Sequence, residues 1–365
     1  VGSIGRKGGA FAVPEPDYIK WPEFALDETA AGGLNQKRID GAGSDQYPDT
    51  DSLLHRLPRV ILSGKGEPVN AIFIANANPC YTLPDTKTVI KALKKIPFKV
   101  SFSTYMDETA SQSDLILPNH SYLERYEDVP VTWGLTKSIV GLTIPVVSPQ
   151  LNTKNTGDVI ISIAKAMKGS ISDAFPWKNY TDCLKTALGK DWNPLQNNGY
   201  MEISNYNPPE KMTRFVFQVP DKTFPAVPEG DEKVLPLILI PNDSMRLSAG
   251  STGSPPFLMK TVSDTVLKDN DTLVQVNPNT AKKYGLKDGG YALLKTPRGF
   301  KKVKIYLSQG IGEGIISFPR GLGHTAYDKY LADKGVNFNE LIGPVEDPAS
   351  GLDAAWGIRA SLTKV

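Results

Sequence analysis

The chain has little cysteine and little histidine. In 365 residues there are two of the first, Cys80 and Cys183, and three of the second, His55, His120 and His324. Two thiols cannot hold an iron–sulfur or zinc centre by themselves, since such centres need about four ligands. They read as unpaired structural thiols. The histidines are scattered without metal-ligand spacing, and no metal ligand is assigned. An excess of either charge is also missing: Lys plus Arg number 41 and Asp plus Glu 39. That balance gives no electrostatic pull toward nucleic acid or an anionic membrane, and no basic stripe is interleaved with aromatics. No apolar run approaches the ~20 residues of a membrane-spanning helix. There is no initiator methionine and no visible signal peptide. The opening reads as truncated or processed, so the missing signal says little.

What is present suits a globular protein of two or three domains, at ~100–200 residues each. Residues 11–68 have poor periodicity and many Pro, Gly, Asp and Gln; VPEPDYIKWPEF and GAGSDQYPDTDS read as extended surface segments that wrap a neighbour. Residues 1–69 are therefore set apart. Regular structure begins with NAIFIANANP (70–79), a continuous apolar run expected to form a buried parallel strand. A helix over 84–96 follows, with Asp85 or Thr86 as N-cap and Val89, Ile90, Leu93 and Ile96 on one face. A strand at 98–103, a short helix at 106–114 and a strand at 115–118 complete a doubly wound parallel α/β unit. Ligands of such sheets sit beyond the carboxyl ends of the strands, here ANANP, SFSTY and LPNHS.

A helix over 155–169 comes next, with Val159, Ile160, Ile163, Ala164 and Met167 on one side and Gly169 at its end. Residues 170–232 read as a loop-rich excursion that closes a domain over 70–232. From 233 to 365, short strands alternate with turns around one small helix, NTAKKYG (279–285). This predicts a C-terminal β-barrel domain.

Four segments carry chemistry-bearing residues. VGSIGRKGGAF (1–11) has four glycines and two cations, but no Gly-Lys-Ser/Thr and no strand before it, so a tight turn explains it better than a phosphate loop. The stretch 103–128 gathers Asp107, Glu108, Asp114, Glu124, Glu127 and Asp128 at a strand's carboxyl end. Composition alone favours capping and a solvated face over acid–base work. NDSMRLSAGSTGSPPFL (242–258) sets hydroxyls and glycines around Arg246, which suits a pyrophosphate or a flexible turn equally. His324 lies among glycines in FPRGLGHTAYDKY (318–330), with no partner nucleophile to make a triad.

Taken together, five collinear segments resemble the molybdopterin oxidoreductase (dimethyl sulfoxide reductase) superfamily. VGSIGRKGGAF is similar to its mid-chain glycine motif. The stretch from AIFIANANP through DETA to SDLILP is similar to its second stretch, NDSMRLSAGSTGSPPFL to the opening of its C-terminal domain, VQVNPNTAKKYGLKDGGYALLKTPRGFKKVKI to its barrel core, and GVNFNELIGPVEDPASGLDAAWGIRASL to its tail. Residues 11–68 and 170–232 match least.

The resemblance implies the later part of a large subunit: a partial α/β domain followed by a dinucleotide-binding barrel. It implies that the iron–sulfur cysteines and the metal ligand belong to preceding sequence. It places molybdopterin guanine dinucleotide contacts at Asn78, Pro79, Asp85, Thr86, Ser103, Glu108 and Asp114, and at Arg246, Ser248, Ser251, His324, Thr325 and Asn339, with no residue assigned to catalysis. Ser103 departs from the family, where many members have Asp. The stretch 100–128 resembles a branch of membrane-associated complexes that includes polysulfide- and thiosulfate-reductase relatives, menaquinone reductase and the alternative quinol-oxidising complex. The last two hold a similar subunit without the metal cofactor. The implied partners are the rest of the subunit, an iron–sulfur electron-transfer subunit and a membrane quinone-interacting subunit, on the periplasmic side of the bacterial inner membrane. Two alternatives stay open: a cofactor-binding part of an oxidoreductase, or a cofactor-free electron-transfer scaffold.

Overall fold

The computed structural model describes residues 18–19, 26–65, 67–131, 137–203, 227–247 and 256–365. The opening glycine segment, Ser248 and Ser251 lie outside the described residues. The rest falls into two compact units. One is drawn from Val1–Gln36 and Leu117–Asp221, the other from Lys37–Ile116 and Lys222–Val365.

In the second unit, β1 (Ala71–Ile74), β2 (Phe98–Ser101) and β3 (Leu115–Ile116) form a parallel sheet in that order. The expected helix spans Thr86–Leu93. Asp85 caps it, accepting from the Thr88 N–H while its own backbone sits at φ 58, a left-handed position that Asp tolerates. Val89 and Leu93 pack with Ile74, Cys80 and Ile96 into one apolar cluster. The helix expected over 106–114 shrinks to a single 3₁₀ turn, Ala110–Gln112. There the Asp107 carboxylate takes the Ala110 N–H at 2.7 Å, as a cap does, and the turn ends at Ser113. The region 11–68, read as extended, contains helices Glu28–Leu34 and Leu57–Ser63. Asp27 caps the first, and Pro58 at the start of the second supplies a preset φ.

The first unit holds an antiparallel sheet of β4 (Glu127–Val131), β5 (Ser138–Thr143) and β6 (Tyr200–Ile203), with β5 central. The segment expected to be loop-rich carries helices Gly169–Asp173, Tyr180–Leu188 and Trp192–Asn198. Their apolar faces are short, which masked them among Pro and Asn. Cys183, Leu184, Ala187 and Leu188 bury one face of Tyr180–Leu188, started by the Asn179 cap. Helix Thr156–Met167 forms as expected but is turned. Ile161 and Ala164 are its buried residues, while Ile160 and Met167 are exposed.

The C-terminal part of the second unit is the expected barrel. Strands β7 (Leu237–Asn242), β8 (Leu267–Lys268), β9 (Asp271–Val276), β10 (Tyr291–Thr296), β11 (Gly299–Leu307), β12 (Ile315–Pro319) and β13 (Ile358–Lys364) pair in the order β11-β10-β13-β7-β12-β9-β8. Parallel pairing of β11 with β9 closes a six-stranded ring and leaves β8 as a short appended hairpin. Alternate residues point inward along β10 and β13. Leu239, Val274, Leu294, Val303, Ile316 and Phe318 are fully buried there. The small helix is Pro278–Lys283, capped by Asn277, with Gly285 just beyond it at φ 65.

Candidate functional site

The carboxyl ends of β1 and β2 run into loops that meet barrel segments within the same unit. Asn78 ends the first loop, and Pro79 opens the short helix Pro79–Thr82. The Asn78 side-chain oxygen accepts from the Thr109 N–H (3.1 Å) and hydroxyl (2.7 Å), and its amide nitrogen donates to Glu108 Oε2 at 2.7 Å. The other Glu108 oxygen accepts the backbone N–H of Thr325 (2.8 Å) and of Ala326 (3.2 Å). His324 Nδ1 lies 3.1 Å from the same oxygen. A carboxylate only accepts, so this ring nitrogen carries the proton.

Glu108 and His324 are buried, at 7% and 3% exposure. Burial by itself raises the Glu108 pKa. The hydrogen bonds from His324 and Asn78 outweigh that and hold it at about 2, against an ordinary 4.5. The His324 ring stacks on Tyr81, with centroids 3.8 Å apart and planes 13° from parallel, and meets Tyr327 edge-on at 4.9 Å. The Tyr81 hydroxyl donates to the Leu322 carbonyl at 2.9 Å. Burial, then the nearby Glu108 charge, pushes its pKa far up, so it stays a donor. The Tyr81 carbonyl accepts from the side-chain amides of Asn337 (3.0 Å) and Asn339 (2.9 Å). Gly323 has φ +80, and a Cβ there would lie 2.0 Å from the Asn337 nitrogen, so this close approach requires glycine.

The structure thus brings together Asn78, Pro79, Glu108, His324, Thr325 and Asn339 from the set implied by resemblance. Asp85 and Thr86 sit beside them at the helix start. Asp85 also accepts from Arg298 at 3.3 Å, and its N–H reaches the carbonyls of Asn339 and Ile342 at 2.9 Å each. Ser103 stays in its own turn, donating to Asp107 at 2.8 Å. Asp114 lies elsewhere: it pairs with the backbone N–H and ammonium of Lys99, near the amino end of β2. Arg246 is exposed in the turn after β7. The sequence reading missed Tyr81, Asn337, Thr109 and Arg298. The Asn-x-Asn spacing at 337–339 was a usable signal; Tyr81 gave none before its ring partner was known.

A cavity of about 160 Å³ adjoins this cluster. Cys80, Thr86, Lys87 and Glu108 line it from the α/β side, and Thr325, Asn337 and Glu340 are among its barrel-side lining. A second cavity, of about 140 Å³, lies between Thr82, Arg320, Asn339 and Trp356. Both are small beside the ~300–1,000 Å³ of ordinary ligand pockets. Each is therefore at most one part of a pterin-dinucleotide site. The side chains of Asn78 and Glu108 use their hydrogen-bonding groups inside the chain, whereas Asp114 is exposed and engages Lys99 through one oxygen. Thr86 and Thr325 do suit such a ligand, since both line the larger of the two cavities at this cluster.

Residues 52–166 match the family model described as molybdopterin oxidoreductase, and residues 258–356 match the Molydopterin dinucleotide binding domain. The chain is 29% identical to the menaquinone reductase, molybdopterin-binding-like subunit of Nitratidesulfovibrio vulgaris, over 100% of this chain and 49% of that one. It is 23% identical to the arsenate respiratory reductase molybdopterin-containing subunit of a Shewanella species, over 100% of this chain and 54% of the relative. Among solved structures, acetylene hydratase from Pelobacter acetylenicus superposes with a TM-score of 0.67 at 20% identity, over 90% of this chain and 50% of that one. That likeness shows the fold. The chain spans about half the length of these relatives.

Proposed function

We propose, on the premise that the chain belongs to the molybdopterin oxidoreductase family, that it supplies one wall of a pterin-dinucleotide cradle in the large subunit of a respiratory oxidoreductase. The observation that carries this reading is the convergence of parallel-strand carboxyl ends and barrel segments on one cavity, with Thr86 and Thr325 in its wall. The bound group would supply two-electron or oxygen-atom chemistry. Thr86 and Thr325 would hydrogen-bond it, and Lys87 would face an anionic part of it. Glu108, His324 and Asn78 would hold the wall rather than the ligand. The remainder of the large subunit would complete the cradle. An iron–sulfur subunit and a membrane quinone-interacting subunit would complete the assembly, on the periplasmic side of the bacterial inner membrane.

A second reading is a scaffold in a quinone-linked complex that holds no pterin. It is favoured by the engagement of Asn78 and Glu108 with groups of the chain itself. It is also favoured by likeness to a menaquinone reductase subunit whose name says only "molybdopterin-binding-like". Metal and pterin analysis of the full-length subunit separates the two. Stoichiometric molybdenum or tungsten with pterin supports the cradle; iron without either sinks it and supports the scaffold. For the assembly, the full-length subunit is expected to co-purify with an iron–sulfur protein and a membrane protein after mild solubilisation. A subunit that elutes alone counts against those partners.

A further inference from the structure

We infer that Glu108 is a positioning residue, a buried anion that fixes the wall of the cavity beside Cys80 by acting through His324 and the Thr325 and Ala326 amides. The cavity's meaning as a cradle wall rests on the reading above, but the geometry does not.

One carboxylate gathers four donors from two places in the chain. Asn78 comes from the loop after β1, His324 Nδ1 from the barrel segment after β12, and the two amides from the residues that follow His324. Thr325, whose N–H is held at 2.8 Å, also lines the cavity. The segment it fixes is conformationally demanding. Gly321 and Gly323 have φ 91 and 80, and Tyr327, which is not glycine, has φ 85. A non-glycine residue there persists only where its surroundings hold it. Around Tyr327 the Met106 carbonyl accepts its N–H at 2.7 Å, and His324 meets its ring. Charge-assisted hydrogen bonds in a dry site are the strong ones, so loss of the Glu108 anion is expected to loosen this wall before the rest of the unit.

Gln is a poor substitute for Glu108 despite its shape. Its amide nitrogen would face the Asn78 amide nitrogen, donor against donor, because the Asn78 oxygen is committed to Thr109. At position 324, Asn places an amide donor where Nδ1 sits, and Leu removes it.

The test is the alkylation rate of Cys80, which lines the cavity and is buried, with buried Cys183 of the other unit as internal control. It is run on the full-length subunit, with iodoacetamide and peptide mapping. Glu108→Gln and His324→Leu are expected to speed Cys80 labelling by about tenfold, the size of one lost hydrogen bond to a charged group, with His324→Asn within about twofold of the parent. Cys183 is expected to be unchanged. Parental Cys80 rates in Glu108→Gln, or parallel acceleration of Cys80 and Cys183, would overturn the inference. Should Glu108→Gln fail to fold, the Asn and Leu pair at 324 still decides: equal rates in both remove the role of Nδ1. This readout needs no cofactor, so it stands or falls apart from the pterin analysis.

Discussion

Phe318 and Glu108 lie in the same compact unit, both buried, and their surroundings accommodate them by opposite means. Phe318 belongs with Val276, Leu294, Ile316 and Phe338 to one apolar cluster closed by the barrel ring. At the Glu108 seam the carboxylate accepts from Asn78, His324 and the Thr325 and Ala326 amides. The barrel interior tolerates no unmatched volume, and the seam tolerates no unmatched hydrogen bond. The first is a question of area and packing, the second of satisfying groups that have left water.

Substitutions that respect one rule and break the other separate the two regions. The largest effect is expected from Phe318→Ala, a cavity in a closed barrel, at about 3–5 kcal/mol in denaturant unfolding. Glu108→Gln keeps volume and is expected to cost about 1–3 kcal/mol, because a half-buried Asn78 donor loses its acceptor. The acid limb of stability sharpens the second case. The folded-state pKa of Glu108 is depressed, so its stabilising share is full above the ordinary 4.5 and is lost as pH falls toward about 2. A Glu108→Gln variant is therefore expected to converge with the parent over that window, while Phe318→Ala stays parallel to it. The smallest effect is expected at Asp243, half exposed, which pairs with Arg320 at 2.6 Å. Asp243→Asn is expected to cost less than about 1 kcal/mol, fading with added salt.

The same contrast explains what the sequence disclosed. The barrel was legible because short strands alternate with turns along 233–365, a local pattern. Helix Thr86–Leu93 was legible through its apolar spacing and Asp85 cap. Helices Tyr180–Leu188 and Trp192–Asn198 were not, because each buries only a few residues beside Pro and Asn. The seam was hardest. Glu108 and His324 are 216 residues apart in the chain, and nothing local says that they meet. Resemblance marked both as ligand contacts, yet the structure shows each bonded to the other. Which residues gather at the strand ends was thus readable from sequence; which way their polar atoms point was set by tertiary contacts alone.

The most direct test of this account is the ¹⁵N spectrum of the His324 imidazole in the folded protein at neutral pH. Glu108 is the acceptor beside this ring, so the account predicts that Nδ1 carries a proton. An unprotonated Nδ1 would mean that Glu108 does not hold the ring, and would contradict the assignment of both residues to the wall of the site.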